Sequence, residues 1–214
     1  IGEDTILFTE SGSYAANIEK AISVPSEAIP LDNFTYEWLN TPNQKTISDV
    51  CKNNNLDPSQ IVKVIVFLAK FENKTQVPIL CCIRGDQNIN EVKLLNIINK
   101  NSSSNLIQLK IIEDKKIIEK NLINFPLGYI GPDIDDKTIK VDSTWDKKWF
   151  RIVDHSASTL SFFISGGNKL DFHKIFQKSI FSKNNYLFSE IRNAKKGDKQ
   201  TIESNEKLQE KKGI

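Results

Sequence analysis

The sequence predicts an α/β or α+β fold built on a mixed sheet, on three observations. Residues 61–70 and 77–83 are near-continuous apolar runs rich in Val and Ile, joined by a polar turn at 71–76. Such runs read as strands covered on both faces. Residues 91–100 carry apolar side chains at 92, 94, 95, 97 and 98, the spacing of one helix face. Short strands and short helices then alternate to the end of the chain, without an internal repeat.

Taken in order, residues 5–9 (TILFT) form a short strand, and 14–21 start a helix or run on irregularly. Residues 23–43 hold Pro25, Pro30 and Pro42 and little periodicity, so they read as a linker or extended crossover. Thr46-Ile47-Ser48-Asp49 resembles a capping box that opens a short helix, stopped by Asn53-Asn54-Asn55. Asp57-Pro58-Ser59 caps one more helical turn. Residues 106–112 form a strand and 113–122 a charged amphipathic helix. A turn dense in Gly and Pro follows at 125–133. Further strands are expected at 138–141, 150–153, 160–164, 172–176 and 186–191, with an insertion-like segment at 142–149. The charged end from 194 reads as disordered, or as a hairpin lacking its partner.

Composition narrows the class. With 214 residues, 26% charged and 39% hydrophobic, the chain is long enough for one or two ordinary globular domains. A net charge of +2 does not by itself indicate nucleic-acid binding. No apolar run is long enough to span a bilayer, and the acidic first residues do not resemble a signal peptide, so a cytoplasmic protein is expected. The absence of Met and the start at Ile1 suggest an excised piece. Cys81 and Cys82 are neighbours on a strand and point to opposite faces. With Cys51 they read as buried, reduced thiols.

Several residues invite chemistry. Lys63 interrupts an apolar strand; a Lys there either snorkels to the rim or acts on a ligand. The Gly128–Pro132 loop (GYIGP) could bring backbone N–H groups close to a ligand, or be a plain turn. His173, between Phe172 and Phe176, is either a packed core side chain or a pocket wall. Asp154-His155-Ser156 is no hydrolase triad, because adjacent side chains on a strand diverge. Two His and scattered acids supply no metal cluster. Trp145 and Trp149 could stack a base, or pin a loop onto the core.

Five segments, TILFTESGSYAANIEKA (5–21), TPNQKT (41–46), RGDQNINEVK (84–93), GYIGP (128–132) and FSEIRNAKKG (188–197), resemble bacterial-type prolyl-tRNA synthetase, in that family's order over nearly the whole chain. The resemblance implies the family's inserted editing domain, with a mixed, partly barrel-like sheet flanked by short helices. Residues 46–181 would be that insert. Residues 1–45 would be a stub of the class II core with its linker, and 182–214 the returning stub. The implied reaction is hydrolysis of alanine mischarged onto proline tRNA. Proline's own pocket cannot strongly exclude alanine, because missing methylenes are worth only about 1–3 kcal/mol. The resemblance implies a catalytic role for Lys63, Gly128, Gly131 and Pro132. It places Asp154, Gly167, Asn168 and His173 at the substrate, and Arg84, Lys93 and Lys169, with Lys174, at the tRNA. The piece itself needs no cofactor; ATP and Mg serve the full-length synthetase. Expected partners are the proline tRNA acceptor end and the rest of the synthetase chain, itself a homodimer, with no membrane and no DNA. The alternatives are a non-catalytic insert that positions the tRNA, and a free-standing trans-editing deacylase.

Overall fold

In a computed structural model, described for residues 5–32 and 34–212, eleven strands form three sheets. In chain order the elements are β1 (Thr5–Phe8), β2 (Ala15–Asn17), β3 (Trp38–Asn40), α1 (Ile47–Asn54), β4 (Val62–Phe71), β5 (Gln76–Arg84), α2 (Glu91–Lys100), β6 (Leu106–Ile111), α3 (Lys115–Asn121), β7 (Phe150–Asp154), α4 (His155–Ser158), β8 (Phe162–Lys169), β9 (Phe172–Gln177), α5 (Ser179–Lys183), β10 (Leu187–Ser189) and β11 (Gln209–Lys212). Single 3-10 turns lie at Pro58–Gln60 and Asp136–Thr138.

The two apolar runs are β4 and β5, paired antiparallel from Val62↔Arg84 to Lys70↔Gln76. They are central in a five-stranded mixed sheet of order β10-β7-β5-β4-β6, with β5, β7 and β10 parallel. Strand alternation splits their side chains between two cores. Val62, Val66, Leu80 and Cys82 pack with Trp145, Trp149, Phe163 and Phe181. Phe67, Ala69, Ile79 and Cys81 pack under Leu94 and Ile98 of α2. Both faces are therefore covered, and Cys81 and Cys82 fall in opposite cores. The sheets do not close into a barrel.

The second sheet, β3-β9-β8, touches the first along the free stretch of β4. β6 pairs with β4 only from Phe67 to Phe71. Beyond it, Ile61 bridges Ile164, and the Ser165 hydroxyl donates to the Val62 carbonyl. The third sheet, β11-β1-β2, pairs the two ends of the chain, Thr5↔Lys212 to Phe8↔Gln209, over a small core of Leu7, Ala21, Ala194 and Leu208.

Four stretches differ from the sequence reading. Residues 14–21 contain β2 and a turn, because Tyr14, Ala16 and Ile18 alternate onto the small core rather than following a helical stripe. The linker contains β3, held by β9. No strand forms at 138–141: Asp135 caps the turn before it, and Val141 is 91% exposed. The charged end is ordered as β11, and its partner is the N-terminal strand.

Candidate active site

Where β4 lacks a neighbour, a cavity of about 250 Å³ opens between the two sheets, lined by α1, β4, β8, β9 and the loop after α3. Its walls include Lys45, Thr46, Val50, Ile61, Val62, Gly128, Ile130, Gly166 and His173. Lys63 borders it.

The loop at 128–132 is held from behind. Asn168, at φ 54°, accepts from the Gly131 N–H at 2.7 Å through Oδ1 and donates to Asp133 at 2.7 Å through Nδ2. The Asn168 N–H donates to the Tyr129 carbonyl, and Tyr186 donates to the Pro132 carbonyl at 2.9 Å. Gly166 lies beneath. A Cβ there would sit 2.2 Å from the Tyr129 carbonyl carbon and 2.4 Å from the Ile130 oxygen. Only glycine lets the loop cross β8 at this distance. Gly128, at φ 84°, packs on the Lys45 side chain. The Gly131 N–H is thus engaged, whereas the N–H groups of Gly128 and Ile130 donate to no acceptor among the described residues. Both residues line the cavity.

His173 lines the cavity beside this loop. Its Nδ1 is 2.7 Å from the Thr41 hydroxyl, and its ring meets Tyr129 edge-on at 5.5 Å. Tyr129 donates to the Thr41 carbonyl at 3.1 Å and to Asp171 at 2.8 Å. Burial pushes the imidazole pKa down to about 4, so the ring is neutral near pH 7. Burial, with a hydrogen bond to Asp171, pushes the Tyr129 phenol up to about 12.

Lys63 is among the residues that line the cavity, and its ammonium follows the rim alternative. On β4 it alternates with Val62 and Val64, so its side chain leaves from the other strand face. Its Nζ reaches Asn88 Oδ1 at 3.4 Å. Burial lowers its pKa, while nearby Asp86 opposes that shift. The ammonium therefore belongs to the rim beside Asn88.

Other expected site residues are used inside the fold. Asp154 is fully buried, accepting from the Ser156 N–H and hydroxyl and from the Ile191 N–H. It caps α4, ties down the segment after β10, and does not line the cavity. Gly167 abuts Trp38. Arg84 is buried and forks onto Asp86 at 2.6 and 2.9 Å. Lys93 donates to the carbonyls of Ala21 and Arg192 and to Glu190. With their charges turned inward, Arg84 and Lys93 are not free to meet an RNA backbone. Lys169 is exposed, its ammonium 4.0 Å from the Phe172 ring centre. Trp145 and Trp149 are buried in the main core and leave the cavity open. Among the described residues no group of three His, Cys, Asp or Glu could hold a metal ion.

The sequence reading did not single out Thr41, Lys45 and Thr46 as site residues. All three lie in the TPNQKT segment, whose clustering at the mouth of α1 was the available signal.

Comparison with known proteins agrees with this geometry. Residues 41–173 match the model of the aminoacyl-tRNA editing domain. The chain belongs to this family. The matched span contains the whole cavity lining, from Lys45 to His173. A proline–tRNA ligase of Prochlorococcus marinus (strain MIT 9312) is 70% identical over all of the chain, and that of strain MIT 9211 is 43% identical. The chain spans 36% of the length of these ligases. A solved structure of a candidate trans-editing enzyme for prolyl tRNA synthetase shares the fold of the editing domain, with a TM-score of 0.52 and 13% identity over 73% of this chain and 86% of that one. No helix among the described residues is long and apolar enough to cross a membrane.

Proposed function

We propose that the cavity hydrolyses the ester of alanine wrongly attached to proline tRNA. The observation that carries this reading is a small hollow lined both by Gly128 and Ile130, whose N–H groups are unengaged, and by a neutral imidazole. The ester carbonyl faces the loop, and the two N–H groups receive the oxyanion as water attacks. His173 bounds the side-chain space. A neutral ring is compatible with the alanyl ammonium group, whereas a charged one would repel it. Its low basicity makes His173 a wall and not the general base. Thr46, at the N-cap of α1, and exposed Lys45 stand at the mouth. Lys63, on the rim, is assigned to an RNA phosphate rather than to the ester carbonyl.

In this reading residues 1–45 and 182–214 are parts of a ligase core, and ATP-dependent attachment of proline occurs elsewhere in the longer protein. A non-catalytic insert is disfavoured by the cavity being open: neither tryptophan of the 142–149 segment fills it. The test is release of alanine from alanyl–proline tRNA by this chain, with correctly charged prolyl-tRNA as the control. Release of alanine with proline spared is expected. No release above the buffer rate refutes the reading.

A further inference from the structure

One tryptophan is left outside the core. Trp38, the first residue of β3, is 43% exposed. The Trp38 ring is fixed in place. It meets Phe172 edge-on at 6.3 Å, packs against the backbone at Gly167, and lies 5.2 Å from the Lys174 ammonium. Lys174 also pairs with Glu37 at 3.1 Å. Lys169 caps Phe172 and has no acidic partner within ion-pair distance among the described residues.

We propose that Trp38 and Phe172, with Lys169 and Lys174, form a stacking platform for the unpaired 3′ end of the RNA whose terminal ester enters the cavity. This rests on the editing reading above. Rings interleaved with cations suit a single strand, because every base has a π face and every linkage a negative charge. Position supports it. Trp38 pairs with Lys174 and its neighbour Leu39 with His173, so platform and cavity lie on opposite faces of one strand pair. Adjacent glycines separate them: Gly166 touches the cavity loop and Gly167 touches Trp38. Nucleotides leaving the cavity meet the platform after rounding this edge.

The test uses tryptophan fluorescence of this chain with a short single-stranded RNA ending in CCA, and a blunt duplex as control. With Trp145 and Trp149 buried, quenching reports Trp38. The single strand is expected to quench emission and the duplex not. The Trp38 variants, which lack that reporter, are compared with the wild type by anisotropy of the same RNA carrying a 5′ fluorophore: Trp38→Ala should weaken binding by about fivefold or more, and Trp38→Phe should retain most of it. Lys169→Ala should flatten the salt dependence. Quenching absent in the wild type, or equal affinity for Trp38→Ala, overturns the proposal. Because the readout is binding and not ester hydrolysis, its failure is distinct from failure of the editing reading. Wild-type cleavage of alanyl-tRNA without quenching refutes the platform alone.

Discussion

Replacing Gly166 by alanine perturbs the crossing of the loop over β8 with the smallest possible change. The new Cβ would lie 2.2 Å from the Tyr129 carbonyl carbon and 2.4 Å from the oxygens of Tyr129 and Ile130, where ordinary contact begins at 3.4 Å. All three atoms are backbone, so no side chain can turn aside. The loop must retreat by about 1.2 Å, and it carries both unengaged N–H groups. Overpacking of this kind costs about 1–3 kcal/mol of stability. A displacement of about 1 Å at the reacting geometry costs on the order of 100-fold in rate. Gly166→Ala should therefore remain folded, with a modestly lower Tm, and lose about two orders of magnitude in kcat/KM on alanyl-tRNA. The two losses are measured separately, by thermal melting and by alanine release. A variant within twofold of wild type would show that the loop does not place the oxyanion donors.

Three further outcomes are expected. His173 is neutral in the fold at a pH where it is half protonated when unfolded. The unfolded chain therefore takes up the proton first, and stability falls as pH drops from about 6.5 towards 4. Between pH 8 and 5 this amounts to about 2 kcal/mol, and urea titrations of His173→Gln should lack that part of the slope. Lys63→Ala should raise KM for the tRNA more than it lowers kcat, with a shallower salt dependence in steady-state kinetics; a pure loss of kcat would return Lys63 to the ester. Arg192 is fully buried, pairs with Asp198 at 2.8 Å and donates to Ser23 and Gln87. Arg192→Ala leaves the buried Asp198 carboxylate without its counter-charge, holding only the Ser23 hydroxyl and the Lys195 N–H, and should lose about 3 kcal/mol in chemical denaturation.

Much of the fold was legible where the pattern is local. The β4–β5 hairpin, α1 behind Thr46 and α2 behind Asn90 follow from hydrophobic period and capping chemistry. What was hidden depends on partners far along the chain. The β11 strand is charged and short, and only its pairing with β1 makes it a strand. β8 runs through Gly166 and Gly167, residues that weaken a strand taken alone; there they make room for the loop and for Trp38. The site was legible as the glycine-proline loop and His173. The direction of Lys63 was not, because alternation along β4 had to be combined with knowing which face the cavity opens on. Arg84, Lys93 and Asp154 carry side chains that sequence assigns to a ligand as readily as to the interior; in the fold Arg84 and Asp154 are buried, and Lys93 spends its donors on Ala21, Arg192 and Glu190.

The pairing of Thr5–Phe8 with Gln209–Lys212 means that the 200 residues between them leave and return through one two-stranded neck. The two strands stand a hairpin's width apart, whatever the length between them. Loop-closure entropy grows only as the logarithm of length, and here the ends are already bonded. The pairing therefore fixes these two strands against each other while placing no demand on how long the intervening chain is.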